Sequence, residues 1–175
     1  MLTKSKPKEN REKLFWKSRP NIRVAEESDL KWVKLSASLE GRSIDAEFEQ
    51  NILNALGQYQ ETMILEDENP KFGHKFGPVG IVAAFFTGHL YQPHVEWFQW
   101  ATPRNKIRAS VAFFQKFRYR DVGTVRVHAI EPSLRFFKNL KKYVPLFYVG
   151  KVPGGDEWGR GDDFIFYMKC RGGHE

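Results

Sequence analysis

One cysteine, Cys170, is all that this chain of 175 residues contains. It can close no disulfide within itself and cannot build a zinc site on paired thiolates. A reducing compartment is therefore the natural one. Long apolar runs are equally scarce. The longest, 79–86, falls far short of the ~20 residues needed to cross a bilayer and is broken by Gly80. The charged N-terminus is followed by no apolar segment of the kind a secretory signal needs. The glycines at 154, 155, 159 and 161 lack a Gly-Lys-Ser/Thr ending, which excludes a Walker phosphate loop. His89 and His94 have neither a helical i, i+4 histidine partner nor a cysteine, so no metal site is expected.

What is abundant is phenylalanine, with 15 copies, in a composition that is 41% hydrophobic. That is enough for one sizeable core. The net charge is +7, and it is unevenly placed. Residues 1–20 hold seven bases against two acids, leaving +5 on this arm and close to neutrality elsewhere. The division expected is a basic N-terminal arm (1–20) and a domain (21–175). Leu14, Phe15 and Trp16 form the arm's apolar cluster and can anchor it on a neighbouring surface. Such an arm suits an acidic protein groove or nucleic acid as partner, or is a solvated tail that binds nothing; no membrane contact is expected.

The pattern along the chain reads as alternating strands and helices. A strand is expected over 22–25, then a helix capped by Ser28 with Leu30, Val33 and Ala37 inward and Gly41 at its end. A second helix runs from about Asp45 with Phe48, Ile52 and Leu56 on one face. Residues 62–65 read as a strand, the charged 66–77 as a loop, 78–86 as a strand, 87–93 as a connection and 94–100 as a strand. Thr102 and Pro103 then open the clearest helix, with Ile107, Val111, Phe114 and Phe117 as its buried stripe. A strand over 124–129, a helix from Pro132 with Leu134, Phe137 and Leu140, and strands over 146–152 and 164–170 complete the order. Strands that follow one another directly, and strands joined across helices, imply an α/β (α+β mixed) fold. Its sheet is mixed and mainly antiparallel, with helices on both faces.

This order, and several of its pieces, resemble the acyl-CoA N-acyltransferase (GNAT) superfamily over roughly residues 22–170. IRVAEESDLKWV (22–33) is similar to the opening strand and helix of many members. HVEWFQWATPRNKIRA (94–109) resembles the fourth strand running into the helix that holds acetyl-coenzyme A. VHAIEPSLRFFKNL (127–140) is similar to the fifth strand and its following helix, and DDFIFYMKC (162–170) to the closing strand. HVEWFQWATPRN also resembles bacteriophage-encoded members, some of which are similar to virion components.

The resemblance implies site residues. The diphosphate motif Gln/Arg-x-x-Gly-x-Gly/Ala falls on Arg104, Asn105, Lys106, Ile107, Arg108 and Ala109, where Ile107 replaces the central glycine and crowds a phosphate's approach. Arg104, Lys106 and Arg108 supply charge there or form a solvated helix face. Phe137 stands where many members keep a tyrosine acid and has no proton to give; Tyr143 lies six residues on. Glu96, then His94, are the candidate bases, and two residues apart they share a sheet face. A main-chain N–H within 96–101 can polarise a thioester carbonyl. The two departures make a binding role the leading expectation: a virion or assembly component attached through its arm, found in a virion or host cytoplasm and needing no cofactor. An acyl-CoA-dependent N-acyltransferase using acetyl-CoA is the alternative.

Overall fold

The computed structural model of the chain describes residues 18–42, 45, 46, 50, 61–87, 90–118, 123–156 and 159–170. The arm's cluster at 14–16, the apolar positions Phe48, Ile52 and Leu56, and His89 and Trp158 lie outside these. Within them, β1 (Asn21–Val24), β2 (Glu61–Asn69), β3 (Lys75–Thr87), β4 (Leu90–Trp97), β5 (Thr124–Ala129), β6 (Phe147–Val152) and β7 (Asp163–Lys169) form one sheet. Its order is β1-β2-β3-β4-β5-β7-β6. Only β4–β5 is parallel; every other neighbouring pair is antiparallel.

Among the described residues, the helices that can be followed from end to end are α1 (Leu30–Leu39), α2 (Pro103–Arg118) and α3 (Leu134–Leu140). Strand alternation separates two faces. Met63, Val82, Val125, Val127 and Phe166 join Phe113, Phe114 and Phe117 of α2 and Phe137 and Leu140 of α3 in one core. Each fully buried Phe contributes about 1.5–3 kcal/mol. Ile64, pointing the other way, is buried with Leu30, Val33 and Ala37 on the face of α1. No helix among the described residues is long and apolar enough to cross a membrane.

Local chemistry explains the ends of α1. The expected cap, Ser28, is exposed and unused. A short 3-10 turn, Glu27–Asp29, precedes the helix, and Asp29 accepts from the Glu26 amide (2.9 Å) and from Arg23 (2.7 Å). At the other end Gly41 has φ +72°, and the amides of Gly41 and Arg42 close on the carbonyls of Ser38 and Ala37.

Burial alone pushes the Asp29 carboxyl up, but the Arg23 and Glu26 hydrogen bonds outweigh it and hold the group below its ordinary 3.8. Its stabilisation is thus complete above about pH 4 and lost as pH falls through the lower folded value. The stability difference between wild type and Asp29→Asn should be constant near neutrality and shrink in acid; urea titrations at stepped pH measure it.

Two sequence expectations need correction. Residues 66–77 are not a loop: β2 runs to Asn69, β3 begins at Lys75, and only a tight turn, Pro70–Phe72 with Gly73 and His74, joins them. These polar strand positions are stable because Asp67 and Asn69 are buried against polar groups of α2. Residues 87–93 are not a connection, since β4 already pairs with β3 from Leu90 and ends at Trp97 rather than Trp100. Pro93 sits inside β4, where a residue without an N–H is tolerated only if no partner needs one.

Candidate active site

The sheet opens where that proline lies. β4 and β5 pair only at Leu90–Thr124 and Tyr91–Val125, after which the two strands run on unpaired to Trp97 and Ala129. Two parallel strands joined by α2 that part after two rungs leave a wedge open at their C-terminal ends, the place where α/β sheets receive ligands. Tyr91, stacked on Phe117 with centroids 4.3 Å apart, plugs the closed end. Half-buried apolar side chains packed against the core sit toward the open end: Val95 and Trp97 of β4, Ile107 of α2 and Phe136 of α3. Trp97 and Phe136 meet edge to face at 6.4 Å.

The main chain of β4 supplies polarity. The Phe98 amide donates to Val79 of β3 at 3.0 Å, and the β3–β4 register is unbroken from Leu90 to Trp97. Alternation then directs the even-numbered amides to β3 and those of Val95 and Trp97 to the β5 side, into the wedge. Pro93 falls on that same side, which is why the ladder tolerates it. Gly80, opposite Trp97, is required by close approach: a Cβ there would stand 2.9 Å from the indole and 3.0 Å from the Glu96 carbonyl.

No protein-family model and no curated protein sequence matches the chain. Solved structures do. A chimera of the Vibrio cholerae spermidine N-acetyltransferase SpeG and hSSAT is 12% identical, covers 87% of this chain and 96% of its own, and superposes with a TM-score of 0.66. A ribosomal-protein-S5-alanine acetyltransferase from Vibrio fischeri is 12% identical over 90% of this chain and 97% of its own, with a TM-score of 0.64. The V. cholerae spermidine N-acetyltransferase in complex with CoA and spermine is 9% identical, covering 86% and 95%, with a TM-score of 0.64. The chain has the GNAT fold.

Within the GNAT fold, residues 104–109 take places that their sequence conceals. Thr102 caps α2 as expected, its Oγ1 accepting from the Asn105 amide at 3.1 Å while Asn105 Oδ1 accepts from the Thr102 amide and hydroxyl. This reciprocal cap and the missing N–H of Pro103 consume donors that a helix start offers an anion. Ile107 therefore does not stand over an open phosphate cradle; it is in the second turn and leans on the core. Thr102→Ala should cost about 1 kcal/mol, read from the urea midpoint.

Arg108 is neither a solvated charge nor free for a phosphate. It is 1% exposed, and its Nε and Nη2 donate to Asp67 at 2.9–3.2 Å and its Nη2 to the Ser18 carbonyl at 2.5 Å. Asn105, also buried, donates to Asp67 and the Glu68 carbonyl and accepts from Asn69, each at 2.8 Å. Ala109 is core. Arg104 is exposed and Lys106 half-buried, and these two alone of the six present a cationic side chain to solvent. Arg104 also lines a separate polar recess of about 200 Å³ with Glu68, His74 and Thr102, against the β2–β3 turn.

The candidate bases share the α1 face, Glu96 half-buried and His94 exposed. Arg42, just past α1, donates to Glu96 at 3.0 Å and also pairs with Glu40. The Glu96 carboxylate thus enters any reaction already holding a guanidinium. Phe137 lies in the core, stacked on Phe166 at 5.1 Å, and Tyr143 is exposed beyond α3.

Sequence reading missed a histidine–carboxylate pair. On β5, His128 points to the Glu96 face, opposite the buried Val127 and Ala129, and its Nδ1 meets Asp163 Oδ2 of β7 at 2.6 Å. The signal available was a histidine at an outward position of an alternating strand. Nothing local linked it to an aspartate 35 residues away.

Proposed function

We propose that the chain is an acyl-CoA-dependent N-acyltransferase that acts on an amine. The observation that carries this reading is the wedge between β4 and β5, apolar at its sides and faced by the Val95 and Trp97 amides. A thioester carbonyl placed there gains hydrogen-bond donors fixed in advance at the atom where negative charge grows. The GNAT-fold structures to which the chain is similar are acetyltransferases, and one of them holds CoA with spermine. Together these favour catalysis over a binding-only role in a virion or assembly. The two departures that motivated that role also carry less weight: Ile107 guards no open cradle, and Phe137 is a core residue.

Coenzyme A supplies an activated acyl group as a thioester. In this reading Arg104 and Lys106, the two cations of 104–109 that reach solvent, would meet its diphosphate in place of a full set of helix-start amides. The strand amides orient the carbonyl, and the apolar walls exclude water that would otherwise compete with the amine. The amine nitrogen bonds to the carbonyl carbon and gives up a proton, the carbon–sulfur bond breaks, and the thiolate takes a proton from solvent.

Incubation with acetyl-CoA and either spermidine or an alanyl-terminated peptide should release free thiol only when enzyme and amine are both present. Acetyl-CoA alone, at about 100 times its dissociation constant, should stabilise the fold by roughly 2.7 kcal/mol, or about 5–10 °C in thermal midpoint at this size. Absence of both effects at millimolar acetyl-CoA would contradict the reading.

A further inference from the structure

We propose that His128, oriented by Asp163, is the group that takes the proton from the acceptor amine. The inference rests on the acyltransferase reading above and assigns one step within it. A carboxylate can only accept a hydrogen bond, so the proton in the 2.6 Å contact lies on Nδ1. In the neutral form that the role requires, Nε2 carries the lone pair. That atom is buried and has no hydrogen-bond partner among the described residues. A buried polar atom without a partner is uncommon in a folded protein and points to a missing donor. An amine nitrogen is such a donor.

Position supports the role. Continuing the register from Leu90–Thr124, His128 stands on the β5 rim of the wedge across from His94, one residue short of level with Val95. Its side chain lies on the sheet face opposite α2 and α3, so the amine and the acyl carrier would approach the gap from different sides. Arg126, two residues earlier on the same face, donates to Gln92 of β4 at 2.7 Å, and its buried Nε also lacks a described partner. A fixed cation beside the site disfavours an incoming ammonium and favours the neutral, nucleophilic amine.

The charged groups near this imidazole come from every strand around it. Asp163 is in contact from β7, Arg126 flanks it on β5, and His94 and Glu96 share its face from β4. Asp162 and Lys151, paired at 2.7 Å, lie at the adjoining end of β6 and β7. Of these, Glu96 is already taken by Arg42, and His94 is exposed, with no carboxylate orienting it among the hydrogen bonds described. The His128–Asp163 pair combines an oriented ring with an Nε2 that has no hydrogen-bond partner among the described residues. It is the arrangement in which a carboxylate fixes the tautomer and stabilises the imidazolium that forms. In the step itself the lone pair of the neutral amine forms the new carbon–nitrogen bond, the N–H bond breaks as its proton moves to Nε2, and the pair left behind stays on nitrogen as the lone pair of the product amide.

The test is the pH profile of kcat/KM for full-length wild type, His128→Gln and Asp163→Asn, with acetyl-CoA and either spermidine or the alanyl peptide. Glutamine keeps a donor toward Asp163, so the fold is spared. His128→Gln should lower kcat by about 10²–10⁴, leave KM for acetyl-CoA unchanged and remove the acidic limb that the proposal expects of wild type. Asp163→Asn should lower kcat less and displace that limb. A merely structural pair would shift the thermal midpoint and leave the limb in place. Wild-type turnover with an unaltered profile in both variants overturns the assignment of His128 alone. No thiol release by wild type with either amine overturns the acyltransferase reading, and this assignment with it.

Discussion

Replacing Asp67 with alanine should cost about 3–5 kcal/mol, the range for breaking a buried ion pair by removing one partner. Arg108 is the charge left behind. It is 1% exposed, Asp67 is fully buried, and two of its guanidinium nitrogens donate to that carboxylate. Asn105 would also lose the acceptor it holds at 2.8 Å. The loss is a large fraction of the 5–15 kcal/mol that holds a domain folded, and at this size it lowers the thermal midpoint by roughly 6–20 °C. The same chemistry predicts partial recovery when the pair is removed together: Asp67→Leu with Arg108→Met should be more stable than Asp67→Ala alone. Urea midpoints for the three proteins decide it. A loss under about 1 kcal/mol in Asp67→Ala would show that Arg108 reaches solvent or another acceptor.

The second large effect separates catalysis from stability. Val95→Pro should lower turnover by about 10²–10³, the cost of removing one donor from a developing oxyanion, while the thermal midpoint changes little. The strand itself provides the control. Pro93 already occupies an amide position on the β5 side of β4, so a proline two residues on removes no bond to β3. The residue before it, His94, is already extended, as a residue preceding proline must be. The ring also retains much of the half-buried valine's volume. Turnover equal to wild type would exclude the Val95 amide from contact with the reacting carbonyl.

Features fixed by neighbours in sequence were legible before the structure. The start of α2 is written in Thr102-Pro103, because a cap and a first-turn proline act within four residues. β5 is written in the alternation of Val125, Val127 and Ala129 with polar residues, and its bounds agree with those expected. The GNAT fold followed from the order of such pieces. The failures share a physical origin. Glu66 to Asn69 looked like loop because charge usually means solvent, yet Asp67 and Asn69 are strand residues made tolerable by partners 36 to 41 positions away. Arg108 looked solvated for the same reason. Ser28 read as the cap by residue type, but a 3-10 turn precedes the helix, and its Asp29 side chain is held by the Glu26 amide and Arg23. The wedge is a property of where two strands part, and the His128–Asp163 contact joins β5 to β7. Neither leaves a local mark.

An amide-resolved NMR titration of the full-length protein with acetyl-CoA tests the central claim most directly, since it reports on each N–H in turn. The account predicts that the Val95 and Trp97 amides move most, with saturation, because they alone on β4 face the gap without a strand partner. Shifts confined to Glu68, His74 and Arg104 around the polar recess, or none at millimolar acetyl-CoA, would contradict it.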